Sequence, residues 1–192
     1  MTSTRKNPVQ FVSLISRTDK PLYIQSFLSD TDAIAKDTNE EEVEVAGEET
    51  NKSVQPTTTI NNFLKFNFFS HMALDIFSSP TSLALREQQQ QQNSNGVLLL
   101  FIQDQVIVYG YESNNGLKIV VGMDQSATIN QDNLHKFITS VYKLYLRVVC
   151  NPFRNFTANE HDESANYGNE EEDVLNSHKF DEGVKKLVDG FI

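Results

Sequence analysis

The chain has a single cysteine, Cys150, among 192 residues. No internal disulfide can form, and a reducing compartment is expected. No apolar run is long enough to span a bilayer, so no direct membrane insertion is expected. The opening "MTSTRKNPVQFVSLIS" lacks the long apolar core of a secretory leader, and none is predicted. The Asn-x-Ser/Thr triplets at Asn51 and Asn155 are then chance matches. Positive charge is also short. The net charge of −10 argues against nucleic acid and against anionic membrane surfaces. Hydrophobic residues make up only 39%, so part of the chain is expected to stay unfolded.

Catalytic signatures are absent as well. There is no Gly-rich phosphate loop, no C-x-x-C, no H-E-x-x-H and no G-x-S-x-G. His71, His135, His161 and His178 lie far apart, without metal-ligand spacing. Cys150 closes an apolar helix stripe, where a buried, inert thiol is the expectation. No enzyme, no metal and no cofactor are predicted.

The acidity that is present is concentrated. Residues 29–57 hold nine Asp/Glu against two Lys, and residues 158–173 hold seven Asp/Glu with no Lys or Arg. Each tract carries −7, so removing both from −10 leaves 147 residues at +4. Neither tract has the apolar surface to offset its ordering entropy. Both are predicted to be disordered insertions, as is the Gln-rich 86–96. The remainder is read as one domain spanning 1–192.

Its elements follow from hydrophobic period. "VQFVSLIS" (9–16) and "LYIQSF" (22–27) alternate like strands of a hairpin. Residues 57–79 change to helical period, with Ile60, Leu64, Phe68 and Met72 as the expected buried stripe, widened by Phe63, Phe69, Ala73, Ile76 and Phe77. Phe66 lies off that face. The stripe is wider than one sheet needs, which points to a second, partner-facing surface. "GVLLLFIQDQVIVYGYESNNGLKIVVGMD" (96–124) reads as a three-stranded meander, its last turn marked by "SNNG". Residues 129–150 and 174–192 return to helical period, with Asn130 or Asp132 placed to cap the former. The expected order is β-β-α-β-β-β-α-α: an α+β domain with a five-stranded antiparallel sheet. In "RVVCNPF" (147–153), Pro152 stops the helix and displaces Asn151 from α geometry. An exposed Asn-Pro-Phe ligand for an endocytic EH domain is the competing reading of Asn151, Pro152 and Phe153.

"HMALD" (71–75), "VYGYESNNGLKIVVGMD" (108–124) and "VYKLYLRVVCNPF" (141–153) together resemble the sedlin family of longin-like proteins. "FVSLISRTDKPLYI" and "KFDEGVKKL" fit the same pattern. Within the family, the likeness is to the TRAPP subunit 2-like branch and its fungal TRAPP-associated form. The resemblance implies a longin-like (SNARE-like) fold with no active site. It also implies a non-catalytic assembly or stabilising role in TRAPP, the transport protein particle. That complex tethers vesicles and exchanges guanine nucleotide on a Rab GTPase. The implied partners are other small TRAPP subunits and larger TRAPP II subunits, with the Rab GTPase contacted only indirectly. The implied location is cytoplasmic, peripheral at the Golgi. The family's H-x-A-L-D pattern matches His71, Ala73, Leu74 and Asp75, making Asp75 a candidate subunit contact; His71 and Phe66 are placed beside it. The alternative is a longin-like small chain of a vesicle coat adaptor. A SNARE would need a heptad helix and an anchor after residue 150, and neither is present.

Overall fold

The computed structural model describes residues 7–28, 56–80, 84, 95–152, 175 and 177–191. The strands are β1 (Val9–Ile15), β2 (Pro21–Ser26), β3 (Val97–Gln103), β4 (Val106–Glu112) and β5 (Lys118–Asp124). The helices are α1 (Pro56–Ser78), α2 (Gln131–Val149) and α3 (His178–Asp189). Element order and fold class match the sequence reading: α+β, longin-like. The expected insertions lie outside the described residues, except Pro56 and Thr57, which open α1, and Asn95 and Gly96, which precede β3. Pro at the first position of α1 gives up an N–H that no helix could use there.

One antiparallel sheet runs in the order β2-β1-β5-β4-β3. The central strand β5 and its neighbour β1 are buried along their whole length, because helices cover both faces. Along β5, Ile119, Val121 and Met123 pack with Leu134, Ile138 and Val141 of α2 and with Phe180 and Val184 of α3. Val120 points the other way and joins Phe11, Ile15, Phe66, Phe69, Ala73 and Phe77 in the α1 core. The side-chain period of 2 thus separates two cores across one sheet.

Local chemistry sets the boundaries. Asn130 caps α2, its Oδ1 accepting from the Asp132 N–H at 2.9 Å. Ser177 caps α3 in the same way, accepting from Phe180 N–H. At the predicted "SNNG" turn, Gly116 takes φ +86°, a region that costs glycine little. The β3–β4 turn is less expected. Asp104 and Gln105 both adopt left-handed φ, 48° and 62°, in a type of turn that favours Asn-Gly. Lys65 of α1 ties this tip down, its Nζ 3.3 Å from the Asp104 carboxylate.

Where α1 crosses the sheet, aromatic rings fill hollows left by glycine. A Cβ on Gly110 would come within 2.5 Å of Phe77 Cζ, and one on Gly122 would overlap the Phe11 ring. Phe11 in turn stacks on Phe66, with ring centroids 4.7 Å apart.

On the opposite face, Tyr23 meets Phe180 edge-on at 4.8 Å, and its hydroxyl donates to Gln25 Oε1. Burial, first, and then hydrogen bonding with and the charge of the Asp181 carboxylate push the Tyr23 phenol far above its ordinary value. Ionising it must therefore work against folding. Its contribution is fully present below the unfolded-state pKa of 10.0 and is lost as pH climbs beyond it. Urea unfolding at stepped alkaline pH should show wild type losing up to about 1.4 kcal/mol per pH unit from this group. Tyr23→Phe should show a shallower loss. Equal slopes for the two proteins would mean that Tyr23 does not carry the alkaline sensitivity.

Candidate docking surface

The buried side of α1 is formed by Phe66, Phe69, Ser70, Ala73 and Phe77, at i, i+3, i+4, i+7 and i+11. This corrects the expected stripe. Leu64 and Phe68, assigned to the core from their spacing, are 60% and 57% exposed. Phe66, placed off the core and beside the partner contact, is 1% exposed and stacked on Phe11. The helix carries apolar side chains on nearly every side, so periodicity alone has little contrast. The sheet makes the choice, since only the Phe66 side offers flat rings and small residues to the slots above Phe11 and Gly110.

The consequence is an outward stripe. Leu64, Phe68, His71 and Asp75 follow at i, i+4, i+7 and i+11, opposite the buried side, and all four are exposed. Half-buried Met72 borders the stripe, and Phe63, 46% exposed, lies between it and the core. So the structure brings His71 and Asp75 together with two large apolar side chains that sequence reasoning had put inside. The one available signal was the excess apolar width of the segment; which residues supplied the excess was not legible.

Asp75 sits one turn from the C-terminal end of α1, and the last turn holds no basic residue. A carboxylate there opposes the helix dipole, which favours cations at that end. A cationic group brought by a partner would relieve it. Apolar area flanked by such a charge has the makeup of an interface, with a desolvated centre and a polar rim.

The histidines do not converge. His71 is on the outer side of α1, His135 on α2 faces the Tyr111 ring at 6.5 Å, and His178 at the start of α3 lies 3.7 Å from Glu182. His161 lies outside the described residues. Among the described residues, no group of three His, Cys, Asp or Glu could hold a metal. Cys150 departs from expectation: it occupies the C-cap of α2 and its thiol is exposed. Five residues past buried Tyr145, it has rotated well away from the inward side of the helix. Asn151 and Pro152 are exposed as well, while Phe153 lies outside the described residues. Among the described residues, no helix is long and apolar enough to cross a membrane.

The sequence profile of the Sedlin family matches residues 14–190. The chain belongs to the Sedlin family. Several curated relatives agree. The trafficking protein particle complex subunit 2-like protein of Rattus norvegicus is 32% identical over 103 residues, covering 52% of this chain and 71% of the relative. The Bos taurus protein of the same name is 33% identical over 98 residues, covering 49% and 68%. The TRAPP-associated protein TCA17 of Saccharomyces cerevisiae is 30% identical over 147 residues, covering 74% and 77%. As a Sedlin-family chain, this protein has its HMALD segment on α1, with Ala73 buried and His71 and Asp75 outside.

Proposed function

We propose that this Sedlin-family protein is a non-catalytic assembly subunit of a TRAPP-type complex and docks through the outer side of α1. The observation that carries the reading is the exposed stripe of Leu64, Phe68, His71 and Asp75 on a helix whose opposite side is fully committed to the core. Large apolar side chains held outward on a rigid element are costly in a free monomer and useful in an interface. The names of the relatives supply the kind of complex. In this reading the protein acts in the cytoplasm, peripherally at the Golgi, where the assembled complex tethers vesicles and serves as an exchange factor for a Rab GTPase. The exchange chemistry belongs to other subunits. Asp75 selects the partner through a cation at the rim, and such charges govern specificity more than affinity.

The test is recovery of partner subunits on a tagged chain, identified by native mass measurement. Asp75→Ala should keep unfolding stability within roughly 0.5 kcal/mol of wild type, as surface changes do, while recovering fewer TRAPP subunits. Asp75→Tyr should recover fewer still, since it adds bulk at the contact. Full recovery with both variants would move the contact away from this helix; loss of folding in Asp75→Ala would make the residue structural.

A further inference from the structure

The sheet ends on β3, yet β3 has the sequence of an inner strand. Its residues, "VLLLFIQ", include no charge, no proline and no glycine. A run that is apolar at successive positions belongs to strands buried on both faces. Edge strands are instead blunted by charge, by proline or by polar residues. The opposite edge follows that rule: β2 opens on Pro21 beside Lys20 and ends on Gln25 and Ser26. Among the described residues, β3 pairs with β4 alone. The backbone N–H and C=O groups along its outer side meet no strand there.

Both faces beside this edge are apolar. Leu99 lies opposite Tyr109 and Ile102 opposite Ile107, on the face where Tyr109 packs against the α2 core. Three positions apart, Leu99 and Ile102 would face opposite ways on a regular strand. The register shift at Leu100 puts them on one face. They are 50% and 52% exposed, and every other large apolar side chain exposed among the described residues is on α1. On the opposite face, Phe101 lies across from Val108 in the α1 core and meets Phe69 edge-on at 5.8 Å. That contact and the Lys65–Asp104 ion pair mark the side of α1 that overhangs β3. Lys65, Phe68, Met72 and Ile76 follow along it at i, i+3, i+7 and i+11.

We propose that β3 is an interface between two copies of this chain, its strands pairing antiparallel about a twofold axis to join the two sheets into one. The edge itself defines the occupant. A row of backbone donors and acceptors is completed by another extended chain, and the flanking side chains call for a strand that is apolar on both faces. β3 is such a strand. A twofold pair sets Leu99 and Ile102 of one copy beside those of the other, an isologous and closed contact. β3 carries no charge to repel its twin, and Asp104 at its end is held by Lys65 of the same copy. The bulge shortens the run that can pair, so the apolar contacts beside the edge carry much of the affinity. Leu99 and Ile102 lie across the sheet from α1, so the contact does not rest on the docking role proposed for that helix; Phe68 borders both surfaces.

The full chain is measured by sedimentation equilibrium over a concentration series reaching tens of micromolar, and a monomer–dimer equilibrium is expected. Each copy carries −10, so salt screens their repulsion and should tighten the dimer. Amide exchange of β3 should slow as the dimer fills, while that of β2 should not. Leu99→Lys with Ile102→Lys should weaken dimerisation by about tenfold or more, because like charges then meet across the axis. Leu99→Glu with Ile102→Glu should do the same. An equimolar mixture of the two should recover a dimer with one copy of each, read by native mass measurement; such rescue requires folded chains whose edges touch. Thr18→Lys with Asn133→Lys adds the same charge at exposed positions away from β3 and should leave the dimer unchanged. A wild-type chain that stays monomeric throughout would overturn the proposal. So would a dimer that salt loosens, or one that leaves β3 exchange unchanged. A monomeric wild type whose Lys variant also loses TRAPP subunits would assign β3 to a partner subunit. Full recovery of those subunits by the Lys variant, with loss of the dimer, would support two separate surfaces.

Discussion

Gly122→Val should strongly destabilise the fold. Valine is a favoured strand residue, and on propensity alone the change would gain up to about 1 kcal/mol. Packing overrules it. Gly122, on the central strand, sits directly opposite Phe11 on the neighbouring β1, and any Cβ there overlaps the Phe11 ring. That ring is fully buried and held from above by Phe66, so it has nowhere to go. Overpacking costs about 1–3 kcal/mol where side chains can adjust, and more where they cannot; the upper end is expected here. Against a total stability of about 5–15 kcal/mol, that loss should appear as aggregation or a strongly lowered urea midpoint. Removing the ring should relieve it: Gly122→Val with Phe11→Ala should be more stable than Gly122→Val alone. A single variant as stable as wild type would show that the ring can move aside.

Phe66→Ala and Phe68→Ala should separate folding from docking. The two residues lie two positions apart on α1, on opposite sides of it. Phe66 is buried against Phe11 and Phe69, and truncating a buried phenylalanine costs about 3–5 kcal/mol. Phe68 is more than half exposed, so its truncation should change stability by no more than about 0.5 kcal/mol. Recovery of partner subunits should follow the opposite order: Phe68→Ala folds but binds poorly. Urea unfolding gives the first comparison and co-purification the second. If Phe68→Ala destabilised the isolated domain as much as Phe66→Ala, the outward stripe would belong to the core.

The strands were legible because β1, β4 and β5 combine β-branched residues with clear turn chemistry at "RTDKP" and "SNNG". For α2, an apolar stripe of Leu134, Phe137, Ile138, Val141 and Tyr145 stands against polar neighbours, and those residues are the buried ones. Its end was read less well. Cys150 was extrapolated along the stripe, yet each further residue turns 100° from the last, and by the C-cap the side chain has left the core side. α1 shows the limit most clearly: its segment was plainly helical, but its inward side was not.

Sequence alone determined which segments form strands and helices, their order, the family and the uneven charge. These are local properties: period, turn residues and composition act over a few residues and need no partner. Only the tertiary structure decided which side of α1 faces inward, that Phe66 is core and Leu64 and Phe68 are surface, and that α2 and α3 pack side by side with Gly183 against Leu144. Those outcomes depend on surfaces far apart in the chain. The Phe11 ring over Gly122 selects the Phe66 side of α1, and the close approach of Gly183 to Leu144 brings α3 against α2. A helix with apolar residues all around has several nearly equivalent ways to lie on a sheet, and the shape of the sheet breaks the tie.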